Sequence, residues 1–389
     1  METVSYYDYI FIGGGLSTLL TVDEMLKSKR FDQQRILILE AVSKNTNDRT
    51  WSFWESGKGK FDKIAAQYWD HAIFAAADFK TTVALHPYKY KTVESAAFYT
   101  SLKQKFEKSG IVTYKLERYE NHNESANGVV VRTETSVYNC KKLFVSVFHN
   151  QETAHQTKYP MLWQHFIGWK IRTKEPLIDP NALTFMDFDL PQDGNTRFMY
   201  VLPFSNTKAL FEFTYFSPEI VADHVYTDAI KAYLNQRRIF DYEVYETEQG
   251  AIPMSSYPFW NKNSKHVAYI GSAGGWTKAS TGFTFSSSRK KAKSLVKNLH
   301  SSFDLRKLRY FNRFWFYDLL FVDVLYRNNE LGSEVFASLF KKLPASLILK
   351  FLDEETRFTE ELRIFWACPK RPFITALLRR LVGLSPRPL

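Results

Sequence analysis

Two acids set among phenylalanines are the first residues in this 389-residue chain whose surroundings suggest chemistry. Glu212 sits in Phe211-Glu212-Phe213-Thr214, and Asp187 in Phe185-Met186-Asp187-Phe188. A carboxyl group in an apolar setting keeps its proton above the usual carboxylate range, because burial penalises the charged form. Such a group suits general-acid work on a substrate that carries no water with it. The plainer alternative for Glu212 is a strand residue whose alternate face meets solvent, and for Asp187 a turn cap. In catalysis Asp187 would either orient Glu212 or accept a proton as base. No His and Cys cluster stands at metal-ligand spacing, and no Gly-x-Ser-x-Gly or Cys/His dyad supports acyl transfer.

The element that must bring a cofactor to such a site opens the chain. Tyr7 to Ile12 is an apolar strand running into Gly13-Gly14-Gly15, a helix starts at Leu16-Ser17, and a second apolar strand, Arg35 to Leu39, ends in Glu40. Strand, glycine turn, helix, strand and acid in that order predict a dinucleotide-binding βαβ unit. Gly13 permits the tight turn, and Gly15 lets the backbone approach a pyrophosphate. The helix start directs free N–H groups at the phosphates, and Glu40 is placed to accept ribose hydroxyls. Thr18 stands where the fingerprint has its third glycine.

Around these motifs the chain reads as α/β. Helical spacing covers 95–109, and Ile111 to Tyr114, Gly128 to Arg132 and Lys142 to Val147 read as strands. Short alternating runs fill 160–250, with Phe198 to Pro203 and Ala209 to Phe216 expected as neighbours across Ser205-Asn206-Thr207. From 301 the pattern is helical, with Leu308, Phe311, Phe314 and Trp315 on one face, and further helices are expected over 333–352 and 355–366. Phe351-Leu352-Asp353-Glu354-Glu355 lies at a helix boundary, with Asp353 as an N-cap. The expected organisation is a Rossmann-like dinucleotide domain (1–75, 104–160 and 264–300). An inserted β-sheet substrate domain (76–103 and 161–263) and a C-terminal helical region (301–389) complete it.

Two cysteines rule out a disulfide framework and point to a reducing, cytoplasmic setting. No signal peptide precedes the first strand, and no uncharged run reaches the ~18 residues of a membrane span. Trp315 to Tyr326 comes closest and is broken by Asp318 and Asp323. The formal charge of +11 and 33 phenylalanines favour an anionic bilayer surface over nucleic acid as partner. The tail Lys370 to Val382 alternates basic and apolar residues as an interfacial helix does; the alternative is a terminal helix packed on the body.

Residues 266–300 return to the dinucleotide domain, with a strand at His266 to Ile270, a small-residue turn Gly271 to Gly275, and a basic helix expected from Thr281-Gly282 to about His300. In large flavoproteins this region returns to the cofactor, so Gly271, Ser272, Ala273, Thr281 and Gly282 are expected there beside the glycine turn. An acid ordinarily follows the glycine; Ser272 replaces it. The helix start favours negative charge on the flavin, hence its reduced, anionic form.

Taken with Thr50-Trp51-Ser52-Phe53, Gln164-His165-Phe166-Ile167-Gly168-Trp169, Arg197 to Phe204, Phe211 to Tyr215 and Glu248-Gln249-Gly250-Ala251-Ile252-Pro253-Met254, these segments resemble the bacterial-type lycopene β-cyclases, FAD-dependent enzymes of carotenoid biosynthesis. The resemblance implies FAD, active when reduced, with NAD(P)H as the reductant. It implies lycopene as substrate, a peripheral place on the membrane, and other carotenoid enzymes as partners. The implied reaction closes the ψ-ends of lycopene to β-ionone rings, through γ-carotene to β-carotene, as an isomerisation without net redox change. Glu212 aligns with the essential glutamate of the family; where plant relatives carry a second acid, this chain has Phe213. Trp51, Phe53, His165, Trp169, Phe211 and Phe213 are the expected pocket, although an aromatic pair is ordinarily core and His165 ordinarily a buried, hydrogen-bonded residue. The rival is an FAD-dependent redox enzyme, a hydroxylase or reductase, on an isoprenoid or aromatic substrate.

Overall fold

The computed structural model describes residues 5–77, 79–149, 153, 156–300 and 302–384. The N-terminal part forms β1 (Ser5–Ile12), α1 (Leu16–Ser28), β2 (Ile36–Glu40), β3 (Thr50–Ser56), β4 (Ala65–Trp69), β5 (His71–Ala76), β6 (Phe79–Ala84) and β7 (Tyr88–Glu94). Then come α2 (Ser95–Ser109), β8 (Val112–Leu116), β9 (Tyr119–Ser125), β10 (Gly128–Thr133) and β11 (Val137–Val145). The middle contains β12 (Leu162–Thr173), β13 (Leu183–Asp187), β14 (Thr196–Pro203), β15 (Lys208–Ser217), α3 (Asp223–Gln236), β16 (Tyr242–Met254) and β17 (Val267–Tyr269). Helices α4 (Phe285–Asn298), α5 (Arg313–Arg327), α6 (Gly332–Lys342), α7 (Ala345–Leu352), α8 (Phe358–Ala367) and α9 (Lys370–Leu381) follow.

The first sheet has the order β8-β2-β1-β11-β10-β9, with β17 also on β11. β1 pairs in parallel with β2 on one side and β11 on the other, so the chain leaves its end at a topological switch point, where open α/β sheets bind ligands. The β2 run Ile-Leu-Ile-Leu is buried on both faces, as a central parallel strand must be. α1, α2 and α4 cover one face with Leu19, Val22, Phe98, Leu102, Ala292 and Leu295. α2 ends where expected, at Gly110, whose φ of +69° suits a residue without a Cβ.

The second sheet runs β16-β12-β15-β14-β13-β5-β6. Its members alternate faces. Odd-numbered Ile167, Met199, Phe211 and Phe213 meet α3, while Leu202, Leu210 and Phe216 turn toward the first domain and helices α5 to α7. A small sheet, β3-β7-β4, bridges the two.

Several boundaries differ from expectation. β5 pairs with β13, so 71–75 join the second sheet; α2 packs in the first core, so 95–103 belong there. Gly282, at φ +71°, holds the chain out of helix, and α4 begins only at Phe285. Leu308 and Phe311 precede α5, which Asn312 caps by accepting from the Trp315 N–H. Pro344 divides 333–352 into two helices. Asp353 follows α7 at its C-terminus; at the start of α8 Glu360 accepts from the Arg357 backbone N–H at 2.8 Å.

Among the described residues no helix is long and apolar enough to cross a membrane. Asp318 and Asp323, which interrupt the apolar run of α5, are both buried and paired, with Lys278 at 3.0 Å and with Arg380 at 2.5 Å.

Candidate active site

A cavity of about 430 Å³ lies between the two sheets. The first domain contributes Gly15, Leu16, Ser17, Ser146, Gly271, Ser272, Thr281, Gly282 and the start of α4. β3 adds Thr50, Trp51 and Ser52, and the second sheet adds Phe166, Tyr200, Leu210, Glu212 and Glu248. The expected cofactor motif and the expected acid therefore open into one space.

The three glycines of the turn have three different reasons. Gly13 has φ +87°, and a Cβ on it would lie 2.4 Å from Ser146 Oγ; on Gly14 a Cβ would lie 2.4 Å from the Tyr114 hydroxyl oxygen. At Gly15 nothing stands within 4 Å, so this is the turn's open side. Gly14 donates its N–H to Glu40 Oε2 at 2.7 Å, and Ala41 N–H donates to Oε1 at 2.8 Å. Glu40 thus braces the glycine turn and does not line the cavity. Ser17 Oγ is 3.0 Å from Ser288 Oγ, which ties the starts of α1 and α4 together. Ser272, in place of the usual acid, lines the wall and contacts Thr277 Oγ1 at 3.3 Å, whereas Ala273 is buried behind the turn.

Two N-termini, those of α1 and α4, face the cavity, and neither has a side-chain cap. Gln164 Oε1 and Thr281 Oγ1 line it and are buried without a hydrogen-bond partner. A buried polar atom left unpaired costs about 1–3 kcal/mol. Open space above Gly15, free N–H groups and orphaned polar atoms fit a phosphorylated ligand with a polar ring edge, as a flavin dinucleotide has.

On the second sheet one row of side chains crosses the strands. Gly168 of β12 pairs with Glu248 of β16 on one side and with Glu212 of β15 on the other, and Glu212 pairs with Tyr200 of β14. Paired residues project to the same face. The missing Cβ of Gly168 opens the space in which the two carboxyl groups meet. Thr214 donates to Glu212 Oε1 at 3.0 Å, and Thr50 to Glu248 Oε2 at 2.7 Å. Burial first, and then the Glu248 charge, push the Glu212 carboxyl well above the usual carboxylate range. Burial also raises Glu248, while Thr50 and Lys170 oppose it. Two carboxyl groups set on either side of Gly168 in a buried position resist ionising together, which favours the protonated form of Glu212.

Tyr200 donates to Ser52 Oγ at 2.9 Å and contacts the Tyr90 hydroxyl at 2.8 Å, while burial keeps its own proton firmly in place. Phe166, Phe185, Phe198, Leu202, Leu210, Phe216 and Phe283 make the remaining wall largely hydrocarbon.

Other expected residues fall elsewhere. Phe211 and Phe213, beside Glu212, point to the opposite face and pack on α3, because successive strand residues alternate. Trp169 packs on the same α3 side. His165 is fully buried there, stacked on Tyr215 at 5.2 Å and bonded to Tyr226 and, at 2.6 Å, to Ser217. Burial lowers its pKa to about 4, so the ring is neutral. Trp51 does reach the cavity, whereas Phe53 is core, stacked on Phe285 at 4.2 Å.

Asp187 also belongs to the α3 face. Its Oδ2 accepts from Tyr233 at 2.8 Å and Arg237 at 2.9 Å, and its Oδ1 accepts from the Asp189 N–H at 3.0 Å. These bonds fasten α3 to β13 and place the carboxylate away from Glu212. Asp187→Ala is expected to cost about 2–3 kcal/mol of folding stability, read by urea denaturation, with flavin content unchanged. A stability equal to wild type would contradict this reading.

Glu248 is the residue that sequence reasoning missed. In Tyr245-Glu246-Thr247-Glu248 it looks like one of several exposed strand acids. Only the register of β16 against Gly168 sets it opposite Glu212.

A dinucleotide fold with a second sheet closing a cavity over the glycine turn is the architecture of single-chain flavoproteins. The chain aligns over 96% of its length with a geranylgeranyl bacteriochlorophyll reductase-like protein from Thermoplasma acidophilum, covering 96% of that chain at 11% identity and a TM-score of 0.60. It covers 95% of a tryptophan halogenase from Shewanella frigidimarina with 98% of its own length, at 10% identity and a TM-score of 0.61. A flavin-dependent brominase aligns at 14% identity and a TM-score of 0.59, over 97% of this chain and all of that one. At such identities the likeness is one of fold. A search of curated proteins gave no match. Residues 8–378 match the lycopene cyclase protein family, and the chain belongs to that family.

Proposed function

We propose that this protein closes the ψ-ends of lycopene to β-ionone rings, by way of γ-carotene to β-carotene, without net oxidation or reduction. The observation that carries the reading is a buried carboxyl group, Glu212, set opposite a second one in a largely hydrocarbon-walled cavity that opens onto the free side of Gly15, where burial favours its protonated form. A substrate that is pure hydrocarbon offers only its double bonds to react, and the first step available to it is protonation.

Gly15, Leu16 and Ser17 would hold the pyrophosphate side of FAD, with Glu40 bracing the turn behind them and Ser146, Gly271 and Ser272 along it. Gln164, Thr281 and Gly282 would meet the ring. Reduced flavin, when bound, supplies negative charge and an electron-rich surface beside the cavity, with NAD(P)H as the reductant. Glu212 gives its proton to C2 of the terminal double bond, leaving a tertiary cation at C1. The C5–C6 double bond attacks C1, closing the ring and moving the cation to C5. Loss of a C6 proton ends the reaction. Phe166, Phe185 and Phe283 line the cavity and exclude water, which would otherwise trap the cation as an alcohol.

Expression in lycopene-accumulating cells tests the assignment. Cyclic carotenoids of unchanged mass are expected; products of altered mass would mean hydroxylation or reduction, and unaltered lycopene would refute the reading.

A C40 hydrocarbon resides in the bilayer, so the protein has to dock there. α8 exposes Phe358, Leu362, Phe365 and Trp366, and α9 exposes Ile374, Leu378 and Leu381, with Trp366 74% and Leu381 71% exposed. Exposed Arg363, Lys370 and Arg371 lie among them, and Lys370 Nζ is 3.6 Å from the Trp366 ring centroid. α9 is at once a packed helix, held by Ala376 and the Arg380–Asp323 pair, and an apolar surface. Each basic side chain near anionic lipid contributes ~1 kcal/mol. Trp366→Glu with Leu381→Glu is expected to weaken co-sedimentation with anionic vesicles by about tenfold or more, since each buried apolar side chain is worth ~1.5–3 kcal/mol. Undiminished binding would remove this face from the membrane contact.

A further inference from the structure

Ring closure adds a proton at C2 and removes one from C6, and both carbons are bonded to C1 once the ring has formed. An acid and a base set side by side can therefore serve both steps. The sheet offers such a pair in the row Glu248–Gly168–Glu212. A Cβ on Gly168 would lie 2.9 Å from Leu210 Cδ1, 3.3 Å from Glu248 Cγ and 3.4 Å from Glu212 Cβ, so a side chain there would crowd Leu210 and both glutamates. Each also keeps a fixed hydroxyl partner, Thr214 for Glu212 and Thr50 for Glu248, which aims its oxygens. Among the described residues neither carboxyl forms a salt bridge. Nearby Lys170 pairs with Glu94 at 2.6 Å and Glu246 at 2.7 Å, and Arg49 donates to the backbone of Gln249 at 2.6 Å.

We propose that Glu248 is the base that ends the reaction, taking the C6 proton and returning it to Glu212 within the pair. The inference rests on the cyclase reading above. Glu212 loses its proton to C2 as the C2 π pair forms the new C–H bond. The C5–C6 π pair becomes the C1–C6 bond. Glu248 then accepts the C6 proton, and the C6–H electron pair becomes the ring double bond to C5. One proton has entered and one has left, and transfer from Glu248 to Glu212 resets the pair. The two acids carry one negative charge at rest and two while the cation exists, so the pair opposes the cation with its greatest charge when that is needed. No proton has to cross the dry cavity from solvent.

Loss of the base leaves the C5 cation to shed a proton elsewhere, from C4 or from the methyl on C5. Glu248→Gln is expected to lower total cyclisation by ~10²-fold or more, with an unchanged flavin absorbance spectrum. The residual rings should carry the double bond at a position other than C5–C6, and Glu248→Asp should restore part of the β-ring product. β-rings formed by Glu248→Gln at the wild-type rate would overturn the proposal. If that variant does not retain flavin, infrared spectroscopy of the wild-type holoenzyme decides. A protonated-carboxyl band that shifts when lycopene is added and is absent from Glu212→Gln is expected at neutral pH; its absence in the wild type would overturn the shared proton. Failure of the wild type to cyclise lycopene would instead refute the functional assignment, leaving the infrared result untouched.

Discussion

Glu212→Gln retains its flavin and forms no rings: the expected loss of cyclisation is about 10³-fold, as for removal of a general acid. Glutamine fills the same volume and still accepts from Thr214, so the wall of the cavity keeps its shape. What it cannot do is release a proton of suitable acidity to an alkene. Pigment chromatography of lycopene-producing cells, with flavin absorbance of the purified variant, reads both halves of the prediction. Substantial β-carotene would remove Glu212 from the acid role. The same variant should also melt at a higher temperature than wild type at neutral pH. Burial raises the folded-state pKa of Glu212, so above the unfolded pKa the unfolded chain carries the charge and the folded one the proton. Stability then falls as pH rises from the unfolded value toward the folded one. An amide in that position has no such titration, and the difference should vanish in acid, below the unfolded pKa.

The second large effect is loss of flavin on Gly15→Val. The backbone at Gly15 is extended, with φ −82° and ψ −172°, a conformation that valine adopts readily, and its Cβ would meet no protein atom within 4 Å. The variant should therefore fold with a melting temperature close to that of wild-type apoprotein. The methyl groups would stand where a pyrophosphate has to approach α1. Intrusion into a packed contact costs about 1–3 kcal/mol, and a phosphate cannot relax as a side chain does, so flavin affinity should fall about 5- to 150-fold. Gly14→Val is the contrasting control. Its Cβ would press on the Tyr114 hydroxyl, so it should destabilise the fold itself. Normal FAD content in Gly15→Val would displace the cofactor from this turn.

Local chemistry made much of this protein legible before any coordinates. The glycine turn, its flanking strands and Glu40 are a contiguous run closed by the Gly14 N–H to Glu40 bond, although the side chains that crowd Gly13 and Gly14 come from Ser146 and Tyr114; α2 with its Gly110 stop is local. Glu212 was legible as a carboxyl in an apolar setting, though for a reason that proved indirect. Its phenylalanine neighbours face α3, and the apolar wall it meets comes from Leu210 and Phe216, two and four residues away on its own face, and from Phe166 on the next strand.

Sequence alone thus made legible the strand, glycine turn, helix and strand that open the chain, and a carboxyl group in an apolar setting. Tertiary structure alone decided which residues share the cavity. Pairing on both sides of Gly168 joins Glu212 to Glu248, 36 positions along the chain, and gathers Thr50 and Tyr200 around them. It also turned Asp187, His165 and Trp169 toward α3. A strand's side chains alternate with each residue, so the face on which any one of them lies depends on register, and register is set by partners distant in the chain.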